Sequence, residues 1–509
     1  MTSNPYYGIT HRAPVVHTTS GDVYGRWQNA SSAAYLGIPF AEAPVGTLRF
    51  QAPQPHAAWD GIRPAVEYGP TPQRRPFGPA VTIPEPSIPG DSTLNVNVFT
   101  PAPRDTSAHL PVYVWIHGGG YFAGSPSSPW YNGREFNADG VVTVSISYRL
   151  GFQGFGWVDG APLNRGLLDQ IAALTWVQEN IEQFGGDPAK VTIGGQSAGG
   201  GSVLALLGSA KAQGLFRGVI SESGAFNAVT VEQAEAIGRA MADALGINPT
   251  IEAWSQVDEN TILDHERDFN DIKEIPSSAS SIDELIGIMK RGFISDSSLG
   301  YAPTVDGDVL TEAPREAYRH GVGSGVALLA GTVRNEFSFP VPTAHTLADE
   351  EAALHDAGIS DEAIARFSSK VHRIGEHLVG GQILTEHMFT LGLAHTALIR
   401  KESGAGERTW LYDFAQMSSV SNASMHCDEI PYAFNVLDEP KVREVLGDHP
   451  SQPLADAIHG RWVEFITNGT LDAPSVAEHD CGAIQFLGSE RYDDHAYLFE
   501  KELVELATH

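Results

Sequence analysis

The sequence predicts an α/β fold built on a large, mostly parallel sheet, and three features point to it. Short apolar runs recur along the chain, helical patterns lie between them, and glycine-rich turns follow two of the runs. The runs are PVYVWIH at 111–117, VVTVSISY at 141–148, VTIGG at 191–195, FRGVISES at 216–223, VALLAGT at 326–332 and TWLYDFA at 409–415. Each is rich in β-branched or aromatic residues and nearly unbroken, as a strand must be when helices cover both faces of its sheet.

The clearest helical pattern covers 164–184, where Leu167, Ile171, Leu174, Val177 and Ile181 recur at intervals of three and four. Gly185-Gly186-Asp187-Pro188 follows as its stop. Strand, helix and strand in alternation define an α/β architecture.

A length of 509 residues permits more than one domain, but α/β folds often carry one sheet with long insertions. A single domain over residues 1–509 is expected. Two regions break the rhythm. One runs from about 70 to 90 and holds seven prolines; the other covers about 231–300. Aromatic and aliphatic residues persist in both, so neither reads as a flexible linker. The first reads as a surface loop. The second, with about 340–400, reads as a cap-like helical insertion over the end of the sheet.

Apolar residues make up 42%, aromatic 9% and charged residues 18%, the balance of a globular chain with a large core. The net charge of −30 repels phosphate backbones and anionic membrane surfaces, which argues against nucleic-acid or membrane partners. No run of about 18 uncharged apolar residues would span a bilayer. The chain opens MTSNPYYGITHR, without a basic start followed by an apolar run, and holds two cysteines, Cys427 and Cys481. Neither a secretory signal nor a disulfide framework is read, so the expected address is the cytoplasm and both cysteines are expected as free thiols. The sequons at Asn29, Asn422 and Asn468 are then chance matches.

Gly195-Gln196-Ser197-Ala198-Gly199 follows the VTIGG strand directly and precedes an apolar, small-residue helical run. A sharp strand-to-helix turn forces its central residue into a strained backbone, and flanking glycines remove the side chains that would collide there. Ser197 is thereby exposed as a candidate nucleophile. His117-Gly118-Gly119-Gly120-Tyr121 ends the strand PVYVWI. Successive glycines leave backbone N–H groups free to converge on an oxygen that becomes an anion during acyl transfer. Gly119 and Gly120 are the expected donors, with Ala198 supplying a third. His117 reads as an orienter of the loop without a proton-transfer role.

With these motifs the chain resembles the type-B carboxylesterase family, which includes bacterial p-nitrobenzyl esterases, liver carboxylesterases and cholinesterases. The resemblance also rests on GIPFAEAPVGTLRFQAP at 37–53, SISYRLG at 145–151, the whole stretch 164–200, LFRGVISESGA at 215–225, GTVRNEF at 331–337 and HCDEIPYAF at 426–434. It implies an α/β-hydrolase fold, with Glu336 as the acid and His426 as the base of a triad with Ser197. Glu336 also lies directly behind an apolar strand run, and the order Ser, Glu, His is that of α/β-hydrolases. By resemblance, Ser223 and Glu429 help hold the histidine and acid, while Arg49 with Asp91 and Arg149 with Asp169 form ion pairs. The family's first disulfide cysteine is Thr93 here, which implies an intracellular bacterial member.

The implied activity is hydrolysis of small-molecule carboxylic esters through an acyl-enzyme, without metal or cofactor. Tyr121, Phe122, Phe226 and Phe337 are the candidate walls of an apolar pocket. Carbamates or activated amides would suit the same chemistry. A non-catalytic adhesion member of the fold would lack the serine, glutamate and histidine that this chain keeps. Monomer and homodimer are both open.

Overall fold

A computed structural model describes residues 12–78, 82–225, 228–276, 279–294 and 298–508. Its first strands are β1 (Arg12–Thr18), β2 (Gly21–Asn29), β3 (Ser32–Pro39), β4 (Ile62–Pro64) and β5 (Asn95–Thr100). Next come β6 (Leu110–Ile116), β7 (Val142–Ile146), β8 (Gly186–Gln196) and β9 (Gly218–Glu222). The short strands β10 (Val229–Thr230) and β11 (Thr304–Val305) form a separate parallel pair. The last are β12 (Ala327–Val333), β13 (Thr409–Phe414), β14 (Ala483–Leu487) and β15 (Ser489–Asp493).

One sheet runs β1-β2-β3-β5-β7-β6-β8-β9-β12-β13-β14-β15, with β4 paired to β2. Every pair from β7 to β14 is parallel. The two margins are antiparallel, apart from β4, which pairs with β2 in parallel. The six apolar runs of the sequence are six consecutive strands, β7-β6-β8-β9-β12-β13.

Their unbroken apolarity follows from burial on both faces. Along β6, Val114 and Ile116 join Leu167, Leu174 and Val177 of the helix Arg165–Asn180 in one core. The intervening Tyr113 and Trp115 join Trp462 and Phe465 of the helix Gln452–Asn468 in another. Alternate side chains point to opposite faces of a strand, so a strand with a core on each side has no position to give to water.

The helix Arg165–Asn180 continues as a tight turn through Phe184 and ends at Gly185, whose φ of 84° suits glycine. Gly186-Asp187-Pro188, read from sequence as part of the stop, already belongs to β8, with Gly186 paired to Leu110.

Between β9 and β13 the described helices include Val231–Ala244, Ile282–Lys290, Leu347–Ala357, Asp361–Ile374 and Leu391–Glu402. A third core joins Leu285, Leu354 and Phe367 from three of these to Leu503 of the helix Leu498–Thr508. Just ahead of that last helix, the Tyr497 hydroxyl donates to the Tyr412 carbonyl at 2.6 Å and accepts from the Thr332 amide at 3.3 Å. It therefore braces β12 against β13 near the strands' C-terminal ends.

The proline-rich stretch is a loop at the surface, as expected, but part of it is buried. Its described residues form no helix or strand, yet Thr71 is fully buried and Arg74 is tucked beneath the surface beside Glu85, at 3.8 Å. Phe77 stacks on Phe122 with ring centroids 5.2 Å apart. The ion pair ties two parts of the segment to each other, and the aromatic stack sets Phe77 against the loop that follows β6. Among the described residues, no helix is long and apolar enough to cross a membrane.

Candidate active site

β8 ends at Gln196, and Ser197 stands between it and the helix Ala198–Leu207 with φ 58° and ψ −121°. Such a conformation is costly for a residue with a Cβ and persists only where its surroundings impose it. Here the Ser197 amide donates to the Glu222 carbonyl at 2.9 Å, and its own carbonyl accepts from the Gly201 amide at 2.8 Å. Space explains the glycines. A Cβ on Gly199 would lie 2.0 Å from the Ile116 carbonyl oxygen, and one on Gly195 would lie 2.5 Å from the Gly199 backbone.

The loop after β6 approaches this turn closely. A Cβ on Gly118 would meet the Gln196 carbonyl oxygen at 2.5 Å. Gly119 has φ 117°, and a Cβ there would overlap the Ala123 carbonyl at 2.3 Å. His117, fully buried, stacks on Tyr148 and bonds through Nδ1 to the Gly118 carbonyl at 2.9 Å. Burial holds its pKa down at about 4, so it stays neutral and braces the loop.

Glu336 and His426 meet beside this loop. The fully buried Glu336 accepts the Val333 amide on Oε1 at 2.9 Å, and its Oε2 lies 2.5 Å from His426 Nδ1. The His426 amide also donates to the Glu336 carbonyl at 3.1 Å. Phe337 and Phe389 flank the imidazole, with centroids 5.6 and 4.9 Å from it. On the ring's other side, Nε2 lies 3.2 Å from the amide nitrogen of Gln196. The Cys427 thiol donates to Oε1 of the same amide at 3.3 Å.

Three further buried carboxyls surround the pair. Burial raises the pKa of Glu222 and of Asp428 to about 8. Glu429 is pushed well above the usual carboxylate range by burial first, then by the nearby charges of Glu222 and Glu336. Ser223 Oγ lies 3.5 Å from Glu429 Oε1, Trp462 donates to Glu222 at 2.7 Å, and the Met425 amide donates to Asp428 at 2.8 Å. Only Glu336 among these four carboxyls bonds to the imidazole among the described residues.

A cavity of about 340 Å³ opens over this arrangement, lined by Gly118, Gly119, Ser197, Glu336 and His426. Its walls include Phe77, Ile83, Phe337, Phe339 and Val445. Phe337 is thus where the sequence placed it. Phe122 stands one layer back, behind Phe77. Tyr121 does not line the cavity. Its φ of 66° turns the side chain into the core, where it is fully buried against Phe155 at 5.0 Å. Phe226 lies outside the described residues.

Of the two expected ion pairs, Arg149 and Asp169 meet in a bidentate contact at 2.7 and 2.8 Å. Arg49 and Asp91 do not pair. Arg49 is taken by the carbonyls of Val257, at 2.5 Å, and Trp254, at 3.4 Å, which belong to the segment after β9. Asp91 is left exposed across a second cavity of about 280 Å³ that both residues line. Among the described residues no three His, Cys, Asp or Glu side chains cluster as a metal-ligand set.

Sequence reasoning missed Gln196 as a partner of His426, although it sits inside the serine motif. It also missed Phe77 and Ile83, which reach the cavity from the proline-rich loop, and Val445, which reaches it from the short helix Val442–Leu446. Apolar residues in a proline-rich stretch were the one available signal.

A parallel sheet that carries a serine on the turn after a central strand, with a carboxylate-bound histidine beside it, defines an α/β-hydrolase. The chain belongs to the carboxylesterase family, whose family model matches residues 12–481, and it is a carboxylic ester hydrolase. It is 34% identical over 483 residues to the para-nitrobenzyl esterase of Bacillus subtilis (strain 168), covering 92% of each chain. It is 31% identical over 526 residues to carboxylesterase 1D of Rattus norvegicus, covering 93% of this chain and 89% of that one. Among solved structures it is similar to a thermophilic PNB esterase, with a TM-score of 0.78 at 30% identity over 96% of this chain and 99% of the other. A Geobacillus stearothermophilus carboxylesterase gives a TM-score of 0.77 with the same identity and coverage.

Proposed function

We propose that this chain cleaves small-molecule carboxylic esters through an acyl-enzyme on Ser197, with His426 as general base and Glu336 as its acid partner. The observation that carries this reading is the 2.5 Å contact between His426 Nδ1 and Glu336 Oε2, made beside the cavity into which Ser197 opens. A carboxylate on Nδ1 fixes the tautomer whose Nε2 can accept a proton, and it steadies the imidazolium that results.

Ser197 Oγ attacks the ester carbonyl as its proton passes to Nε2. The developing oxyanion is received by the amides of Gly119, Gly120 and Ala198, which have no protein acceptor among the described residues. The alcohol departs with the proton from Nε2. Water then attacks the acyl-serine, giving its proton to the same nitrogen, which passes it to Ser197 Oγ as the acyl–oxygen bond breaks and the acid is released.

Further support concerns the whole chain. Residues 1–509 are read as one catalytic domain in which the segments about 231–300 and 340–400 are cap-like insertions. The two cysteines are unbridged among the described residues, which fits a reducing setting such as the cytoplasm. The test is a fluorophosphonate probe: its mass should appear on the peptide carrying Ser197, and labelling at another serine would refute the assignment.

A further inference from the structure

We propose that Gln196 is a positioning residue that holds His426 in its proton-accepting tautomer before substrate arrives, and that Cys427 decides which way the Gln196 amide faces. This rests on the reading of His426 as the base and goes beyond it.

The case begins with the backbone. Gln196 is the last residue of β8, paired in register with Glu222 of β9, and its side chain is buried. It lines the floor of the cavity over Ser197 while staying almost wholly covered. Its amide reaches two partners at once, His426 Nε2 at 3.2 Å and Cys427 Sγ at 3.3 Å. The two ends of a primary amide differ: the oxygen only accepts and the nitrogen only donates. Which end faces the imidazole therefore matters.

Cys427 settles the choice. Burial first of all keeps it a protonated thiol, and an S–H group is a donor. It takes the amide oxygen. The NH₂ group is then left for the imidazole, and it can bond only to a ring nitrogen that carries a lone pair. Nε2 must be bare, and the ring's single proton must sit on Nδ1 against Glu336. Three donations in series, from Cys427 to Gln196, from Gln196 to His426 and from His426 to Glu336, thus agree on one tautomer. The turned amide would set its carbonyl against the Nε2 lone pair and leave the thiol without an acceptor.

During turnover Nε2 takes the Ser197 proton and later gives it to the leaving alcohol. Because Nε2 has a single lone pair, the Ser197 hydroxyl displaces the Gln196 amide as it presents its proton, and the amide returns to the bare nitrogen once the alcohol has taken that proton.

The groups facing His426 are Glu336 on Nδ1, Cys427, Asp428 and Glu429 on its own loop, and Glu222 on β9. Phe337 and Phe389 add no charge. Of these only Cys427 meets the Gln196 side chain, so variants at 196 act on Nε2 and on the thiol.

The test is a set of kcat/KM and kcat profiles against pH with a p-nitrophenyl ester. Gln196→Glu places a carboxylate at Nε2, and the acid limb of kcat/KM should move up by about one pH unit or more. Gln196→Met removes the donor at similar volume and should lower kcat by roughly fivefold to tenfold, with KM nearly constant, as the loss of one neutral hydrogen bond would. Cys427→Ala should lower kcat in the same way, and Cys427→Ser, which keeps a donor, should restore most of the loss. Thermal melting identifies any variant that does not fold, in which case the Gln196→Glu profile decides. An unmoved limb in folded Gln196→Glu overturns the proposal. Equal kcat in Cys427→Ala and the parent overturns the part assigned to the cysteine. Fluorophosphonate labelling separates the two levels: an unlabelled parent defeats the Ser197 reading, whereas normal labelling with an unmoved limb defeats only the role of Gln196.

Discussion

Oε2 of Glu336 lies 2.5 Å from Nδ1 of His426, while the two carboxyls that directly follow His426 in the chain, Asp428 and Glu429, bond elsewhere. Both of those are driven toward the protonated form by burial, so neither supplies a ready negative charge. Glu336→Gln should therefore cut kcat by on the order of 10³ to 10⁴ with little change in KM, because an amide favours the wrong tautomer. Asp428→Asn and Glu429→Gln should cost less. Steady-state kinetics on all three, with circular dichroism as the check on folding, gives the ranking; a reversed order would move the acid away from Glu336.

The glycine loop makes a second claim that can fail. A methyl group on Gly119 would overlap the Ala123 carbonyl, and the backbone φ of 117° is itself hostile to alanine. Gly119→Ala should leave the global fold in place but displace an oxyanion donor, lowering kcat by roughly 10² to 10³. Retention of more than half of kcat would mean that Gly119 donates nothing to the transition state.

Stability should depend on the Arg149–Asp169 pair, whose side chains are 3% and 0% exposed. Asp169→Asn leaves a guanidinium buried without its counter-charge, and the expected loss is about 3–5 kcal/mol in urea unfolding. A change below about 1 kcal/mol would show that the bonds from Arg149 to the Gln51 and Arg49 carbonyls suffice.

The pH dependence of stability follows from Glu222. Its pKa rises on folding from 4.5 to about 8, so the folded protein holds this proton more tightly than the unfolded chain. Stability from this group is complete below about 4.5, falls as pH rises toward 8, and levels off above that. Glu222→Gln keeps an acceptor for Trp462 and removes the titration. The variant should melt higher than the parent at pH 8 and no higher at pH 4. Equal differences at both pH values would remove Glu222 as the cause.

The central half of this fold was legible because its physics is local to the strand. Six runs without a polar break can only be strands with a core on each face, and all six proved to be neighbours in the sheet. The serine and glycine motifs were legible because each answers to a steric demand, as the overlaps at Gly199 and Gly119 show. Tyr121 was misplaced because its direction depends on a left-handed backbone that the preceding glycines impose. Arg49 found other partners because carbonyls some two hundred residues away in the chain reach it. The cavity walls Phe77 and Val445 depend on such long-range folding too, and no periodicity reports it.

Tyr497 ties the strand behind Glu336 to the strand that precedes His426, and does so through a single hydroxyl. Ser197 is synthesised three hundred residues sooner, and its strained turn can form once β6, β8 and β9 have paired. If Ser197, Glu336 and His426 act together as proposed, the growing chain carries the serine before its two partners and before the hydroxyl that braces their strands. Hydrolysis of a chromogenic ester should then first appear once β12 and β13 have docked, which makes it a clock for that step of folding.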